Sequence, residues 1–214
     1  ESKLPDSLLV NNNFDYAMLE DINFAGKDLS SSSFHSVKFD GSDMQNTNLR
    51  DASFVQVDFT KIKNKSLAGT DLTSTALAHA NLLGVDFSGV ILRGTNFYNA
   101  DLSGQDFTVI SNTESEGSVF VDAILPNSNF EGVDLSPKSI FTTTFKNKAN
   151  LKNLEGDDLL DNLFGLQATN KHVISKEVRG NDLVVDFIIY NNFRDATLEN
   201  ANFKNTSLWF VNFY

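Results

Sequence analysis

The sequence predicts an all-β solenoid, a coil of very short strands joined by tight corners. Three observations predict it. An apolar residue recurs at every fifth place, as Phe97, Leu102 and Phe107 do in the stretch "TNFYNADLSGQDF". The residue two places earlier is small or β-branched, as at Ala17, Val37, Thr47, Ala52, Thr70, Ala100 and Ala201, and the one directly before is commonly Asp, Asn or Ser, as at Asn23, Asp43, Asp71, Asn96 and Asn202. The two remaining places are rich in Gly, Ser, Asn and Asp. A period of five suits neither a plain strand nor a plain helix. Apolar, polar, apolar over three residues is strand alternation, so the central residue and the one two before it point inward together. The other two residues must then turn the chain. Asp or Asn before the centre suits such a corner, because its side chain can bond backbone groups that the bend leaves unpaired.

Along the chain, "LPDSLLV" reads as an N-terminal cap, within a cap segment at 1–11. The beat then runs unbroken from Phe14 through Phe59 and resumes from Leu67 to Phe107, from Phe120 to Leu135 and from Leu183 to Phe213. These runs read as one β-helix over 12–214, its second and third runs expected at about 118–151 and from 181 to the end. The gap from Phe59 to Leu67 reads as one unit plus a three-residue bulge, a loop near 60–66 that carries Lys61, Lys63 and Lys65. That basic loop is a solvated loop first and a contact for an acidic partner second. The gap from Phe107 to Phe120 reads as an exposed loop near 108–117, with Glu114 and Glu116 in it. The largest departure is an excursion near 152–180, where Leu159, Leu160, Leu163, Phe164 and Leu166 fall at helical spacing after Asp157 and Asp158. The helix is expected over residues 158–167. Its apolar face needs cover, and Val185, Ile189, Tyr190, Trp209 and Phe210 stand in what the beat makes outward corner places. They form a candidate interaction patch, covered by that helix or by a second subunit.

Roughly thirty such units in register resemble the pentapeptide-repeat family, whose motif is A(D/N)LXX and appears here as "ANLLG" and "ADLSG". The resemblance implies a right-handed quadrilateral β-helix with four units per coil, hence stacking of residues 20 apart. About eight coils at a strand spacing of ~4.8 Å make a rod on the order of 40 Å long. It also implies a recognition rod rather than an enzyme, and a runner-up role as an acidic mimic of duplex DNA, as in family members that bind DNA gyrase and relieve quinolone inhibition. Those members resemble dimers joined through C-terminal coils and a terminal helix, whereas this sequence ends within a repeat at "FVNFY".

Composition narrows function by exclusion. The 214 residues are 41% hydrophobic and 21% charged, enough for a sizeable core. No apolar run approaches the ~18 residues of a membrane span. A soluble chain is expected, cytoplasmic or exported after signal removal, since the sequence starts at Glu1 and its N-terminus is expected to be processed or trimmed. A net charge of −11 disfavours direct nucleic-acid binding. There is no cysteine, and His35, His79 and His172 are scattered, without a Gly-rich phosphate loop or metal-spaced cluster. No catalytic, cofactor-binding or metal residue is assigned. The expectation is a non-enzymatic interaction rod with a protein partner, either a monomer or a dimer through its C-terminal end.

Overall fold

The computed structural model describes residues 8–111, 117–136, 140–155, 159, 163, 171–189, 191–208 and 211–214. Its main body is a coil held by single parallel bridges. One column of them runs through Asn13, Ser33, Ser53, Ala76, Asn96, Val119, Asn192 and Asn212, and three further columns start at Met18, Asn23 and Asp28. Four columns make a four-sided β-helix, and the first has eight rungs among the described residues. Residues 20 apart bridge wherever the beat is unbroken, for example Asn23 with Asp43 and Asp71 with Ile91.

The lumen is filled by the central residues. Phe14, Phe34 and Phe54 stack with ring centroids 5.1 and 4.6 Å apart, and Phe97, Phe120, Phe193 and Phe213 continue on the same wall at 5.1, 4.5 and 5.3 Å. The third wall carries a second ladder, Phe107, Phe130 and Phe203, at 4.3 and 4.8 Å. Asp28, Asn48, Asp71 and Ile91 bridge in turn, so Leu29, Leu49, Leu72 and Leu92 share one wall and the lysine-rich bulge skips none.

Two devices satisfy the backbone of so short a strand. Where Asp or Asn stands before a centre, its side-chain oxygen accepts the N–H two residues on, as Asp71 Oδ1 does from Thr73 at 2.9 Å and Asn96 Oδ1 from Tyr98 at 2.9 Å. Inside, buried hydroxyls two places before the centre donate to a central carbonyl one coil earlier: Thr75 to Leu49 at 2.6 Å, Thr95 to Leu72 at 2.8 Å. The corner itself needs a left-handed residue two places after the centre, with φ from 50° at Asn99 to 72° at Gly41. That requirement explains the Gly, Asn, Asp and Ser there.

Four sequence expectations change. Leu9 is buried and Ser32 Oγ donates to its carbonyl at 2.7 Å, so the coil begins inside the segment read as a cap. At the second gap the coil continues through Ser111, which donates to the Val90 carbonyl at 2.9 Å, with Ile110 buried; Glu114 and Glu116 lie outside the described residues. The third departure is longer than expected and is largely β. Strand β1 (Ile140–Phe145), a 3-10 turn at Ala149–Asn153, strand β2 (Lys171–Arg179) and strand β3 (Asp182–Ile189) form an antiparallel sheet in the order β1-β3-β2. Leu183 and Ile188 therefore belong to a strand and not to coils, which resume at Asn192, bridged to Val119. Finally, of the expected helix, Leu159 and Leu163 are described and both are helical, but Leu159 packs on the sheet instead of on the outside of coils.

Candidate interaction surfaces

Bulge and insertion carry the two candidate surfaces. The first follows from Lys61 and Val109, the two described corner positions that keep out of the left-handed region, each followed by three extra residues. After Phe59 the chain makes two 3-10 turns, Phe59–Lys61 and Lys63–Lys65, with buried Ile62 between them as the anchor. The three lysines are exposed, but Lys63 Nζ sits 3.0 Å from Asp43 Oδ2 and Lys61 Nζ 3.8 Å from Asp58 Oδ2. Two of the three cations are thus matched by the rod's own acids, and Lys65 has no such partner among the described residues.

The second surface is the insertion. Leu151, Leu159, Leu183 and Val185 form a core of their own, with Phe145, Leu154, Leu163 and Val173 packed against it. Val185, expected in an outward patch, is fully buried there, and Val184 is buried as well. Ile189 ends β3 opposite Lys171; Tyr190, Trp209 and Phe210 lie outside the described residues. Sequence reasoning missed the sheet, although one signal marks where the coil departs. The corner place after Leu135 falls on Pro137, and a proline ring fixes φ near −65°.

Polar groups elsewhere on the rod do structural work. The Ser33 hydroxyl and then the His35 N–H hold the Asp15 carboxyl below the usual carboxylate range, and Ser88 does the same for Asp86. His35 lies against Tyr16, and His79 against Tyr98 with Asn99 Nδ2 2.8 Å from its Nδ1. No group of three or more metal-ligating side chains occurs among the described residues. Among them, no helix is long and apolar enough to cross a membrane.

A family model described as pentapeptide repeats matches eight copies, over residues 28–63 and 66–104. These coils are pentapeptide repeats. The bridged coil extends beyond the matched residues and runs on to Asn212. Similar solved structures include a trypsin-treated form of QnrB1, a plasmid-mediated fluoroquinolone resistance protein, at 17% identity and a TM-score of 0.35, covering 60% of this chain and 64% of that one. The chain therefore spans just under two thirds of that relative's length. HetL from the cyanobacterium Nostoc sp. Strain PCC 7120, a pentapeptide-repeat protein involved in heterocyst differentiation regulation, is 14% identical over 94% of this chain and 90% of its own, with a TM-score of 0.28. Rfr23 from the cyanobacterium Cyanothece 51142 is 17% identical over 93% and 88%, with a TM-score of 0.22. No curated protein matches the chain.

Proposed function

We propose that the protein is a non-enzymatic scaffold that binds a protein partner through the outside of a rigid pentapeptide-repeat coil and its insertion. One observation carries this reading. Central side chains fill the lumen, inward hydroxyls bond carbonyls, and many of the Asp and Asn residues before the centres hold the corners. What remains is a set of outward columns repeated at one strand spacing, ~4.8 Å, which is a fixed display surface.

The test is affinity capture with the immobilised full chain, repeated with exposed Leu83 and Tyr98 changed to Asp, and again with the insertion's charges changed. A partner retained by wild type and lost with one of these variants supports the reading. Stabilisation by several degrees in a thermal-shift screen of metals and cofactors would replace it with ligand chemistry.

The net charge of −11 favours a second reading, an acidic duplex mimic acting on a DNA-binding enzyme such as DNA gyrase. Salt-sensitive inhibition of gyrase supercoiling at micromolar protein would promote it. Weak or absent inhibition is expected.

A further inference from the structure

Charge is divided unevenly between coil and insertion. Residues 137–190 hold seven Lys or Arg and seven Asp or Glu, so the whole net charge of −11 belongs to the rest of the chain. Within the insertion the cations lead: from Leu135 to Leu154 there are four lysines and no acid.

The structure fixes three of them. Leu151 is buried in the insertion's core and pins the 3-10 turn Ala149–Asn153, leaving Lys148 exposed at its N-cap and Lys152 exposed within it. Ala149 N–H donates to the Asn181 carbonyl at 3.1 Å, and Asn147 N–H to Asp182 Oδ1 at 3.0 Å. The turn is thereby tied to the β2–β3 connection. Lys146 is held at the same place, its Nζ 2.7 Å from Asp182 Oδ2, and Arg179 stands at the end of β2 with its guanidinium 2.8 Å from Glu177. On the coil, Arg50, Lys61, Lys63, Arg194 and Lys204 are each met by an acid, while exposed Lys38 and Lys65 have no ion-pair partner among the described residues and stand on separate units. Lys148 and Lys152 have no ion-pair partner among the described residues.

We propose that this lysine-bearing end of the insertion, centred on Lys148 and Lys152, is a docking surface for a short acidic segment of a partner protein. The inference rests on the scaffold reading and names its contact. Two ammonium groups held by an anchored turn meet carboxylates without first being ordered, which lowers the entropic cost of binding. A nucleic acid fits less well. A duplex draws its affinity from many phosphate contacts at once, which two lysines do not supply and which a chain of net charge −11 disfavours. A peptide of a few residues stays within the ~8 Å over which charge is felt at physiological salt.

The test uses the full chain and a fluorescein-labelled triglutamate peptide, read by anisotropy at 50 mM salt. Wild type should bind, and binding should weaken as salt rises. Lys148→Glu/Lys152→Glu should weaken it about tenfold, as two attractive contacts turn repulsive. Lys61→Glu/Lys65→Glu makes the same change in net charge at the bulge and should bind as wild type does. Equal affinity in the first variant, an equal loss in the second, or no binding by wild type overturns the proposal. So does a DNA duplex that competes as well as the peptide. A captured partner that binds the Lys148→Glu/Lys152→Glu chain unchanged overturns this contact alone and leaves the scaffold reading standing.

Discussion

Replacing Phe54 by Ala tests whether the stacked ladder, rather than the polar surface, holds the coil together. Phe54 is fully buried, stacked 4.6 Å from Phe34 and within 5.5 Å of Phe59, while Leu77 takes the next place on its wall. Truncating a buried Phe to Ala costs roughly 3 to 5 kcal/mol, including the cavity left behind. Lumen side chains are gripped from the coils above and below, so collapse of the cavity is resisted and the upper part of that range is expected. In a chain of this size each kcal/mol moves the midpoint by about 2 to 4 °C, which gives a fall of roughly 6 to 20 °C. Phe54→Leu separates volume from ladder. Leu77 shows that this wall accepts a leucine, so that variant should lose about a third as much, mostly the ring contacts with Phe34 and Phe59. Thermal unfolding followed by far-UV circular dichroism reads both, with Glu131→Ala as the surface control. If Phe54→Ala shifts the midpoint no more than Glu131→Ala, or no more than Phe54→Leu, the ladder is not what resists unfolding.

Three further outcomes are expected. Thr75→Val keeps the shape but removes the hydroxyl that bonds the Leu49 carbonyl at 2.6 Å, and should cost about 1 kcal/mol in a urea titration, whereas exposed Ser74→Ala at a corner should act only through its left-handed φ of 57°. The Asp15 carboxyl is held low by Ser33, so its contribution is complete above the unfolded value near 3.8 and is lost as pH falls through the lower folded value. Ser33→Ala should therefore lower stability slightly at neutral pH, flatten the acid limb of a stability–pH curve below about pH 4 and leave its most acidic end unchanged on that account. Excising residues 137–190 and joining Ser136 to Asn191 through a single Gly should keep the coil folded, judged by its circular dichroism spectrum and a monodisperse sedimentation profile. An aggregated or unfolded product would show that the coil depends on the insertion.

The coil was legible because its three requirements leave separate marks: an apolar centre for the lumen, an Asp or Asn for the corner, and a residue tolerant of positive φ after it. The insertion was misplaced because the beat survives in it by accident. Leu183 and Ile188 are five apart, yet both lie in β3, where Leu183 shares the insertion's core with Val185, two places on. Leu9 was missed for the opposite reason, since an exposed Leu8 stands where a corner-holding Asp or Asn is usual. The bulge lysines were seen as a group, but only coordinates could show that Asp43 and Asp58 already answer two of them. Lys148 and Lys152 drew no notice, because their exposure depends on where Leu151 turns inward.

The bridges also record how the chain can grow. Rungs 20 apart become 23 apart across the bulge and again across the second gap, and 73 apart across the insertion, yet each column of the wall continues. Extra chain enters between sides and never within one, so three added residues and fifty-three leave the same lumen. Loop closure grows only logarithmically with length, by about 0.6 kcal/mol per doubling. Going from three extra residues to fifty-three is some four doublings, roughly 2.5 kcal/mol, which a segment with its own core of Leu151, Leu159, Leu183 and Val185 can offset. A corner of this fold is thus a splice point: a place where new function can be added at a small and nearly length-independent cost, while the numbering of every later side is simply carried forward.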